Sequence, residues 1–254
     1  MSNNPVLLVT GGASGIGKAI ASLFATRGYA VVVADIDLPR GRSTVEELCS
    51  LGYHAVYEGV DIRNEGSVRN LFERVGNQFP GIDCLCNNAG IERYRPADEY
   101  TLADFDAITE TNLRGPFLCT RQALPLLKAA KGAIVNVASI QGLATERNIS
   151  VYAGTKAGIL GWSRGVALDF AQFGIRVNTV CPGAIQTPMM DAALVNDPEP
   201  QKTLAELATR IPLQRIGDPA DIAEVVYFLA SSGAAYVTGT HIVVDGGLLA
   251  RHAL

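Results

Sequence analysis

The sequence predicts an α/β fold in which one doubly wound parallel sheet of about seven strands carries helices on both faces. Short β-branched runs alternate with longer amphipathic segments along all 254 residues. The runs are apolar almost throughout, as expected for parallel strands that are covered on both faces. No linker, low-complexity segment or internal repeat interrupts the pattern, so we expect a single domain over residues 1–254.

Each element of the first half is supported by its own pattern. Residues 6–9 form an apolar run, and residues 15–28 place apolar side chains at helical spacing. Residues 29–35 form a second apolar run that ends in a carboxylate. We expect a polar helix, a strand, a third helix and a fourth strand to follow at residues 39–51, 55–60, 68–79 and 82–86.

The second half continues the alternation. Residues 102–130 are predicted to be mostly helical, with an interruption near residues 112–116. Residues 187–216 contain four prolines, so we expect an irregular segment that serves as a substrate loop. A helix at residues 218–229 begins with an Asp-Pro pair, which is typical of a helix start. The remaining strands are expected at residues 133–138, 175–181 and 241–244, with a helix at 151–173.

Composition and charge exclude several classes of protein. The chain has 21 basic and 25 acidic side chains and no basic run, which argues against binding to nucleic acid or to an anionic membrane. No apolar run approaches the roughly 20 residues of a membrane-spanning helix. Residues 1–5 are polar and lack the features of a signal peptide, so we expect a cytoplasmic protein. The charged fraction of 18% is low, which suggests that some surface is buried between subunits.

Cysteine and histidine are placed unfavourably for a metal site. The five cysteines form no CxxC pair and suit small buried side chains in a reducing compartment. His54, His241 and His252 are far apart in the sequence. We therefore predict that the protein has no metal centre.

A glycine-rich turn follows the first predicted strand and opens the first helix. Gly11, Gly15 and Gly17 permit unusual backbone conformations and let the backbone approach a ligand closely. The helix N-terminus would then offer N–H groups to a pyrophosphate. The plainer alternative is an ordinary strand-to-helix turn. The spacing also approaches that of a nucleotide triphosphatase phosphate loop, but Ala19 lacks the hydroxyl that such a loop uses to hold magnesium.

Three side chains near the middle of the chain suit proton transfer to or from an oxygen. Tyr152 and Lys156 are four residues apart and share one face of a predicted helix. Ser139 follows the strand at 133–138, at the sheet edge where open α/β sheets bind ligands. A free phenol has a pKa near 10, and a nearby lysine ammonium would lower it. The alternatives are a surface tyrosine and a helix-capping serine.

The glycine turn and the motifs after it resemble the classical short-chain dehydrogenase/reductase family over nearly the whole chain. The turn has the family's TGxxxGxG pattern rather than GxGxxG. Further motifs follow in the family's order: Asn87-Asn88-Ala89-Gly90, Asn112, Ser139, Tyr152-x-x-x-Lys156, Pro182-Gly183 and Asp245-Gly246-Gly247. The resemblance implies a Rossmann-like fold, hydride transfer between a nicotinamide cofactor and an alcohol or ketone, and a homotetramer.

The resemblance also implies a role for each matched residue. Tyr152 is the expected general acid–base, and Ser139 orients the substrate oxygen. Lys156 lowers the tyrosine pKa and binds the nicotinamide ribose, while Asn112 holds a water. The implied cofactor-binding residues are Gly11, Ser14, Gly15, Ile16, Gly17, Asp35, Asp61, Ile62, Asn88, Ala89, Gly90, Tyr152, Lys156, Pro182, Gly183, Ile185 and Thr187.

The predicted cofactor is NAD. Asp35 ends the second strand, where its carboxylate can accept hydrogen bonds from an adenosine ribose. It would repel a 2′-phosphate by roughly 4 kcal/mol at contact distance and an effective dielectric of about 20. Position 14 is serine, where relatives that bind NADP often carry a basic residue. The alternative role for Asp35 is that of a cap or turn residue, although Asp37 is better placed to cap the next helix.

The substrate is expected to be a secondary alcohol or ketone of the sugar, polyol or cyclic alcohol class. Candidate substrate contacts are Gln141, Glu146, Arg147 and Met189, with Glu92, Arg93 and Tyr94 after the Asn-Asn-Ala-Gly turn. Two other functions remain open: a 3-oxoacyl-thioester reductase that uses NADPH, and a nucleotide-sensing protein without activity. Asp35 argues against the first, and the presence of Tyr152 and Lys156 argues against the second.

Overall fold

The computed structural model of the protein describes residues 4–250. Residues 1–3 and 251–254 lie outside the described residues. They include His252, the start of the N-terminal segment at residues 1–5 and both ends of the predicted domain. Within residues 4–250, no helix is both long enough and apolar enough to span a bilayer. The same range holds no group of three or more His, Cys, Asp or Glu side chains arranged to bind a metal ion.

Between residues 4 and 250 the chain builds one sheet of seven parallel strands, as predicted. The strands are β1 (Val6–Thr10), β2 (Ala30–Asp35), β3 (Ala55–Gly59), β4 (Cys84–Asn87), β5 (Ala133–Val137), β6 (Arg176–Pro182) and β7 (His241–Val244). Their order across the sheet is β3-β2-β1-β4-β5-β6-β7. The strand order reverses between β1 and β4, and a crevice at the carboxyl ends of such strands is where open α/β sheets bind ligands.

Helices cover both faces of the sheet. They are α1 (Gly15–Thr26), α2 (Leu38–Ser50), α3 (Glu65–Gln78), α4 (Leu102–Thr109), α5 (Gly115–Ala130), α6 (Ser150–Ala171), α7 (Pro188–Ala193), α8 (Pro200–Arg210) and α9 (Pro219–Ala230). One apolar cluster joins α3, α5 and α6 to one face of the sheet, and a second joins α1, α2 and α9 to the other. Both faces are thereby removed from water, which explains why the strands are apolar on both sides.

The interruption predicted near residues 112–116 is one turn of π-helix at Glu110–Arg114, between α4 and α5. A π-turn inserts an extra residue into a helix and is frequent at functional sites. Pro116 follows within the first turn of α5, where a proline needs no backbone donor. Asn112 lies in the π-turn, and only 1% of its surface is exposed.

The prediction of an irregular segment at residues 187–216 is wrong for the two stretches that form α7 and α8. Both helices carry a proline in their first turn, where the missing N–H has no intrahelical partner to lose. Thr187 caps α7 because its hydroxyl accepts a hydrogen bond from the Met190 N–H at 3.3 Å. Here two of the prolines mark helix starts rather than irregular chain.

Candidate active site

A cavity of about 860 Å³ opens at the carboxyl edge of the sheet, at the predicted position. Most of the predicted site residues line it: Gly11, Ser14, Gly15, Ile16, Asp35, Asp61, Ile62, Asn88, Ala89, Gly90, Ser139, Gln141, Glu146, Tyr152, Lys156, Pro182, Gly183, Ile185, Thr187 and Met189. Gly17, Asn112 and Arg147 are not part of its wall. The fold therefore brings together residues from the first, middle and last thirds of the chain.

The glycine turn at the start of α1 is packed too closely for side chains. Gly11 has a φ of +66°, and a Cβ there would lie 2.9 Å from the Ala89 Cα. A Cβ on Gly17 would lie only 2.1 Å from the Gly11 carbonyl oxygen. Gly17 thus allows α1 to pack directly against the turn. Because Gly17 faces the turn, it does not line the cavity.

Asn88 fastens the end of β4 to the end of β1. Its Nδ2 donates to the carbonyl oxygens of Thr10 and Gly11 at 3.0 and 3.2 Å. The Thr10 hydroxyl in turn accepts from the backbone N–H groups of Asn88 and Ala89 at 3.1 and 3.2 Å. These four bonds hold the two central strands together at the floor of the cavity, a structural role that the motif alone did not indicate.

Asp35 holds the turn and also faces the cavity. Its Oδ2 accepts a hydrogen bond from the Ala13 N–H, and its Oδ1 accepts one from the Asp37 N–H, both at 2.9 Å. A carboxylate has lone pairs for further donors, so both oxygens can still accept from a ligand. Asp37 caps α2 by accepting from the Arg40 N–H at 3.0 Å, as the sequence predicted.

Asp61 has an ionic partner that the sequence did not reveal. The Arg63 guanidinium donates to Asp61 Oδ2 at 2.8 Å and to Oδ1 at 3.0 Å, and this pairing lowers the pKa of the Asp61 carboxyl. Arg63 also lines the cavity. Ile62 is buried against Gly115, where a Cβ would lie 2.6 Å from the isoleucine Cδ1. The two implied cofactor-binding residues are therefore a paired carboxylate and a buried aliphatic side chain.

Ser139, Tyr152 and Lys156 meet at the deep end of the cavity. The Tyr152 phenol is hydrogen-bonded to the Ser139 hydroxyl, and the Lys156 Nζ lies 5.4 Å from the centre of the tyrosine ring. The ammonium donates to the Val137 carbonyl oxygen at 2.9 Å. Tyr152 and Lys156 are 7% and 4% exposed, so charge on either group is poorly screened by solvent. This arrangement can hold an oxygen-bearing substrate and exchange a proton with it.

Burial dominates the ionisation of this group. It raises the pKa of Tyr152 well above 10, with a further contribution from the Glu92 carboxylate, while the bond from Ser139 acts in the opposite direction. Burial also lowers the pKa of Lys156 to about 8. The net direction for Tyr152 is opposite to the one expected from Lys156, because burial removes the solvation of the phenolate.

Asn112 supports the site from behind the cavity wall. Its Oδ1 accepts from the Ile91 N–H at 2.9 Å, and its Nδ2 donates to the Ile91 carbonyl oxygen at 2.8 Å. The same Nδ2 lies 3.3 Å from the Thr155 hydroxyl on α6. Asn112 therefore ties the chain after β4 to the helix that carries Tyr152. The water expected on this side chain stays a prediction.

Beside Tyr152, the cavity wall is acidic and polar on one side and apolar on the other. The Glu146 Oε1 accepts from the Tyr94 hydroxyl at 3.0 Å and from Gln141 Nε2 at 2.9 Å. Glu92, also a candidate substrate contact, lines the same cavity. The apolar side comes from α7 and α8 and includes Met189, Met190, Leu204 and Leu207.

Two charged candidates do not reach this end of the cavity. Arg147 is exposed and outside the wall, because the chain turns at Asn148, which has a φ of +67°. Arg93 pairs with Asp104 of α4 at 3.3 Å. Glu92 was a candidate pocket residue because it lies two positions after the motif that ends β4. It does line the cavity, and the fold alone sets its distance from the tyrosine helix.

Comparisons with known proteins agree with this geometry. A family model described as "Enoyl-(Acyl carrier protein) reductase" matches residues 11–249. The chain is 41% identical over 248 residues to cis-4-hydroxycyclohexanecarboxylate dehydrogenase of Sinomonas cyclohexanicum, covering 96% of both chains. It is 38% identical to a 3-oxoacyl-[acyl-carrier-protein] reductase of Thermotoga maritima over 96% of this chain and 97% of that one. The crystal structure of levodione reductase superposes with a TM-score of 0.93 at 33% identity, over 98% of each chain.

Proposed function

Because the chain belongs to the short-chain dehydrogenase/reductase family, we propose that it is an NAD-dependent dehydrogenase of secondary alcohols of the sugar, polyol or cyclic alcohol class. As a member, it is an oxidoreductase that acts on alcohol groups with a nicotinamide cofactor. One observation carries the proposal: Ser139, Tyr152 and Lys156 converge on a cavity that extends to the glycine turn.

The residues present fit a nicotinamide dinucleotide. Gly11 and Gly15 line the cavity with backbone alone, and α1 begins there with N–H groups that suit a pyrophosphate. Asp35 offers acceptors for a ribose at one end, and Lys156 offers a cation at the other. When bound, the nicotinamide supplies the acceptor or the donor of the hydride.

The side chains of the site bind the substrate oxygen and transfer its proton. The Tyr152 oxygen takes the alcohol proton during oxidation and returns it to the ketone oxygen during reduction. Ser139, already bonded to the phenol, holds the substrate oxygen beside it. Burial raises the pKa of the phenol further, which favours the protonated form that donates to a ketone. The Lys156 cation stabilises the phenolate, which must be present before Tyr152 takes the alcohol proton in oxidation and which forms when the phenol gives its proton to a ketone in reduction.

The preference for NAD rests on the charges around the ribose end of the cavity. Asp35 lines the cavity with a carboxylate, which would repel a 2′-phosphate bound beside it. Arg40 and Arg63 could neutralise the charge of a 2′-phosphate, but each already has a carboxylate partner. Arg63 pairs with Asp61 at 2.8 Å, and Arg40 lies 3.7 Å from Asp37. A 2′-phosphate would therefore meet net negative charge.

The experiment that tests the proposal is a substrate panel. Sugars, polyols, cyclic alcohols and 3-hydroxyacyl thioesters are offered with NAD and, in parallel, with NADP, while formation of the reduced cofactor is followed at 340 nm. We expect turnover of at least one alcohol class, with higher kcat/KM for NAD. Turnover of thioesters alone, with NADPH preferred, would instead support the reductase function.

The 3-oxoacyl-thioester reductase remains the second candidate because the Thermotoga maritima relative with that name is 38% identical to this chain. Asp35 argues against it, since that function was predicted to use NADPH. A third candidate, a nucleotide-sensing protein without activity, would be favoured if no alcohol or ketone in the panel is converted.

We also propose that residues 1–254 form one domain and that four copies assemble. The apolar residues Leu160, Val166 and Ala167 of α6 are buried in the core, so they do not support an interface. Support comes instead from exposed apolar side chains, including Leu102 on α4 and Leu168 on α6, which are 74% and 80% exposed. Light scattering after size-exclusion chromatography measures the assembly.

A cytoplasmic location is the remaining part of the proposal. Cys84, Cys86, Cys119 and Cys181 are buried free thiols, and Cys49 is an exposed one, as a reducing compartment allows. Fractionation of the source cells, followed by immunodetection, tests the location directly.

A further inference from the structure

We propose that Glu92 determines substrate specificity by accepting a hydrogen bond from a hydroxyl group next to the reacting carbon, so that the enzyme selects vicinal diols and polyols over mono-alcohols. The inference rests on the proposed dehydrogenase function. It assigns to Glu92 a contact that is separate from the proton transfer by Tyr152.

The backbone holds Glu92 at the reacting end of the cavity. Asn112 bonds both the N–H and the carbonyl oxygen of Ile91, the preceding residue, at 2.9 and 2.8 Å. Glu92 lines the cavity, and its charge acts directly on both Tyr152 and Lys156. A substrate whose carbinol oxygen reaches the tyrosine therefore brings its neighbouring carbon toward the Glu92 carboxylate.

Glu92 has acceptor capacity that the protein does not use. Within residues 4–250, no side chain or backbone group donates a hydrogen bond to its carboxylate, although the residue is partly buried. The arginines that follow it pair elsewhere, since the Nε atoms of Arg93 and Arg95 lie 3.3 and 3.2 Å from Asp104 oxygens. A hydrogen bond from the substrate to this carboxylate would contribute strongly to binding, because the carboxylate is partly removed from water and has no donor in the described part of the protein.

A second carboxylate faces the same space. Tyr94 and Gln141 both donate to Oε1 of Glu146, and among the described residues none donates to its Oε2. Glu92 and Glu146 line the same cavity, and burial together with the charge of Glu146 raises the pKa of Glu92 to about 7. This end of the cavity therefore presents acceptors, which match the hydroxyl groups of a diol and disfavour an anionic substituent.

A matched pair of substrates tests the inference. Cyclohexanol and cis-cyclohexane-1,2-diol differ by one hydroxyl next to the reacting carbon. We expect the wild-type enzyme to prefer the diol in kcat/KM. In Glu92→Gln this preference falls about tenfold, mainly through KM for the diol, because a site built to bond a hydroxyl discriminates strongly by its presence. The substitution also removes a charge that acts on Tyr152. This effect is the same for both substrates, so it cancels in the ratio of their kcat/KM values.

Glu99→Gln is the matched control, since it removes the same charge from an exposed site on the same segment, outside the cavity. It leaves the preference unchanged. The inference is overturned if Glu92→Gln changes kcat/KM for both alcohols by the same factor, or for neither.

Calorimetric titration of each protein with the two alcohols separates this inference from the proposed function. Weaker diol binding by Glu92→Gln, with cyclohexanol less affected, supports the role of Glu92 even without turnover. Equal binding by both proteins contradicts it. Absence of turnover of both alcohols, with NAD and with NADP, counts only against the proposed dehydrogenase function.

Discussion

The Oδ2 atom of Asp35 accepts a hydrogen bond of 2.9 Å from the backbone N–H of Ala13, in the glycine turn. The carboxylate at the end of β2 therefore holds the loop that precedes α1, while the same group lines the cavity. On the proposed function, stability of the turn and choice of cofactor both depend on this side chain, and substitutions there should affect both.

Replacement of Asp35 should weaken discrimination against NADP. In Asp35→Asn, loss of the negative charge is expected to reduce the NAD/NADP ratio of kcat/KM by at least about tenfold, because roughly 4 kcal/mol of repulsion at contact distance is removed. Asp35→Ala should in addition lower the free energy of unfolding by about 1–2 kcal/mol, since the N–H groups of Ala13 and Asp37 lose their acceptor. Kinetics with both cofactors and urea denaturation measure the two effects. A wild-type preference for NADPH would contradict the charge argument.

Tyr152→Phe should remove catalysis without unfolding the site. The phenylalanine keeps the ring but has no proton to exchange, so kcat should fall by about 10²–10⁴-fold, the usual contribution of acid–base catalysis. Binding of the reduced cofactor, followed by its fluorescence, should change little. Tyr236→Phe, at a fully exposed tyrosine, is the control and should behave as wild type. Comparable turnover by both variants would rule out Tyr152 as the proton carrier.

Asn112→Ala should destabilise the protein through the chain after β4. The substitution leaves the N–H and the carbonyl oxygen of Ile91 without partners, at a cost of about 1–3 kcal/mol for each unsatisfied buried group. We expect a clear loss of free energy of unfolding in urea, whereas Asn77→Ala, on the exposed side of α3, should have almost no effect. Equal stability of the two variants would show that the Ile91 contacts are dispensable.

Gly17→Ala should damage the cofactor end of the site. Its Cβ would lie 2.1 Å from the Gly11 carbonyl oxygen, so α1 or the turn must shift. We expect a loss of about 1–3 kcal/mol in stability and weaker cofactor binding. Gly76→Ala places a Cβ at an ordinary 3.7 Å from Leu126 on exposed α3, and should be neutral or stabilising by about 0.5–1 kcal/mol. Identical melting temperatures for the two variants would count against the packing role.

The Glu92 carboxyl should make stability depend on pH. Its pKa rises from an ordinary 4.5 to about 7 in the folded protein, because of burial and Glu146. Between these values the folded state keeps a proton that the unfolded chain has released, so this contribution to stability falls as pH rises and is constant above 7. In Glu92→Gln, the difference in free energy of unfolding between pH 4.5 and pH 8 should be smaller by on the order of 1–2 kcal/mol. This value includes a reduction for solvent screening, because the residue is only partly buried. Parallel urea titrations at the two pH values measure it, and an unchanged difference would refute the assigned shift.

Several contacts show why the sequence left parts of the site undetermined. The pairing of Arg63 with Asp61 is local, yet the motif described only the carboxylate. The nearness of Glu92 to Tyr152 joins residues 60 positions apart, and no periodicity encodes such a distance. Arg147 was a candidate by its position before the tyrosine helix, but the turn at Asn148 directs the chain away from the cavity.

The sequence by itself determined the alternation of strands and helices, the glycine turn, the ordered motifs and the edge of the sheet at which they meet. These features follow from local spacing, because side-chain periodicity and turn residues act over a few positions. Only the tertiary structure decided that α7 and α8 form a wall of the cavity, that Gly17 and Asn112 support the site from outside it, and that burial raises the pKa of Tyr152. Those properties depend on packing and desolvation among residues distant in the chain, which local patterns do not record.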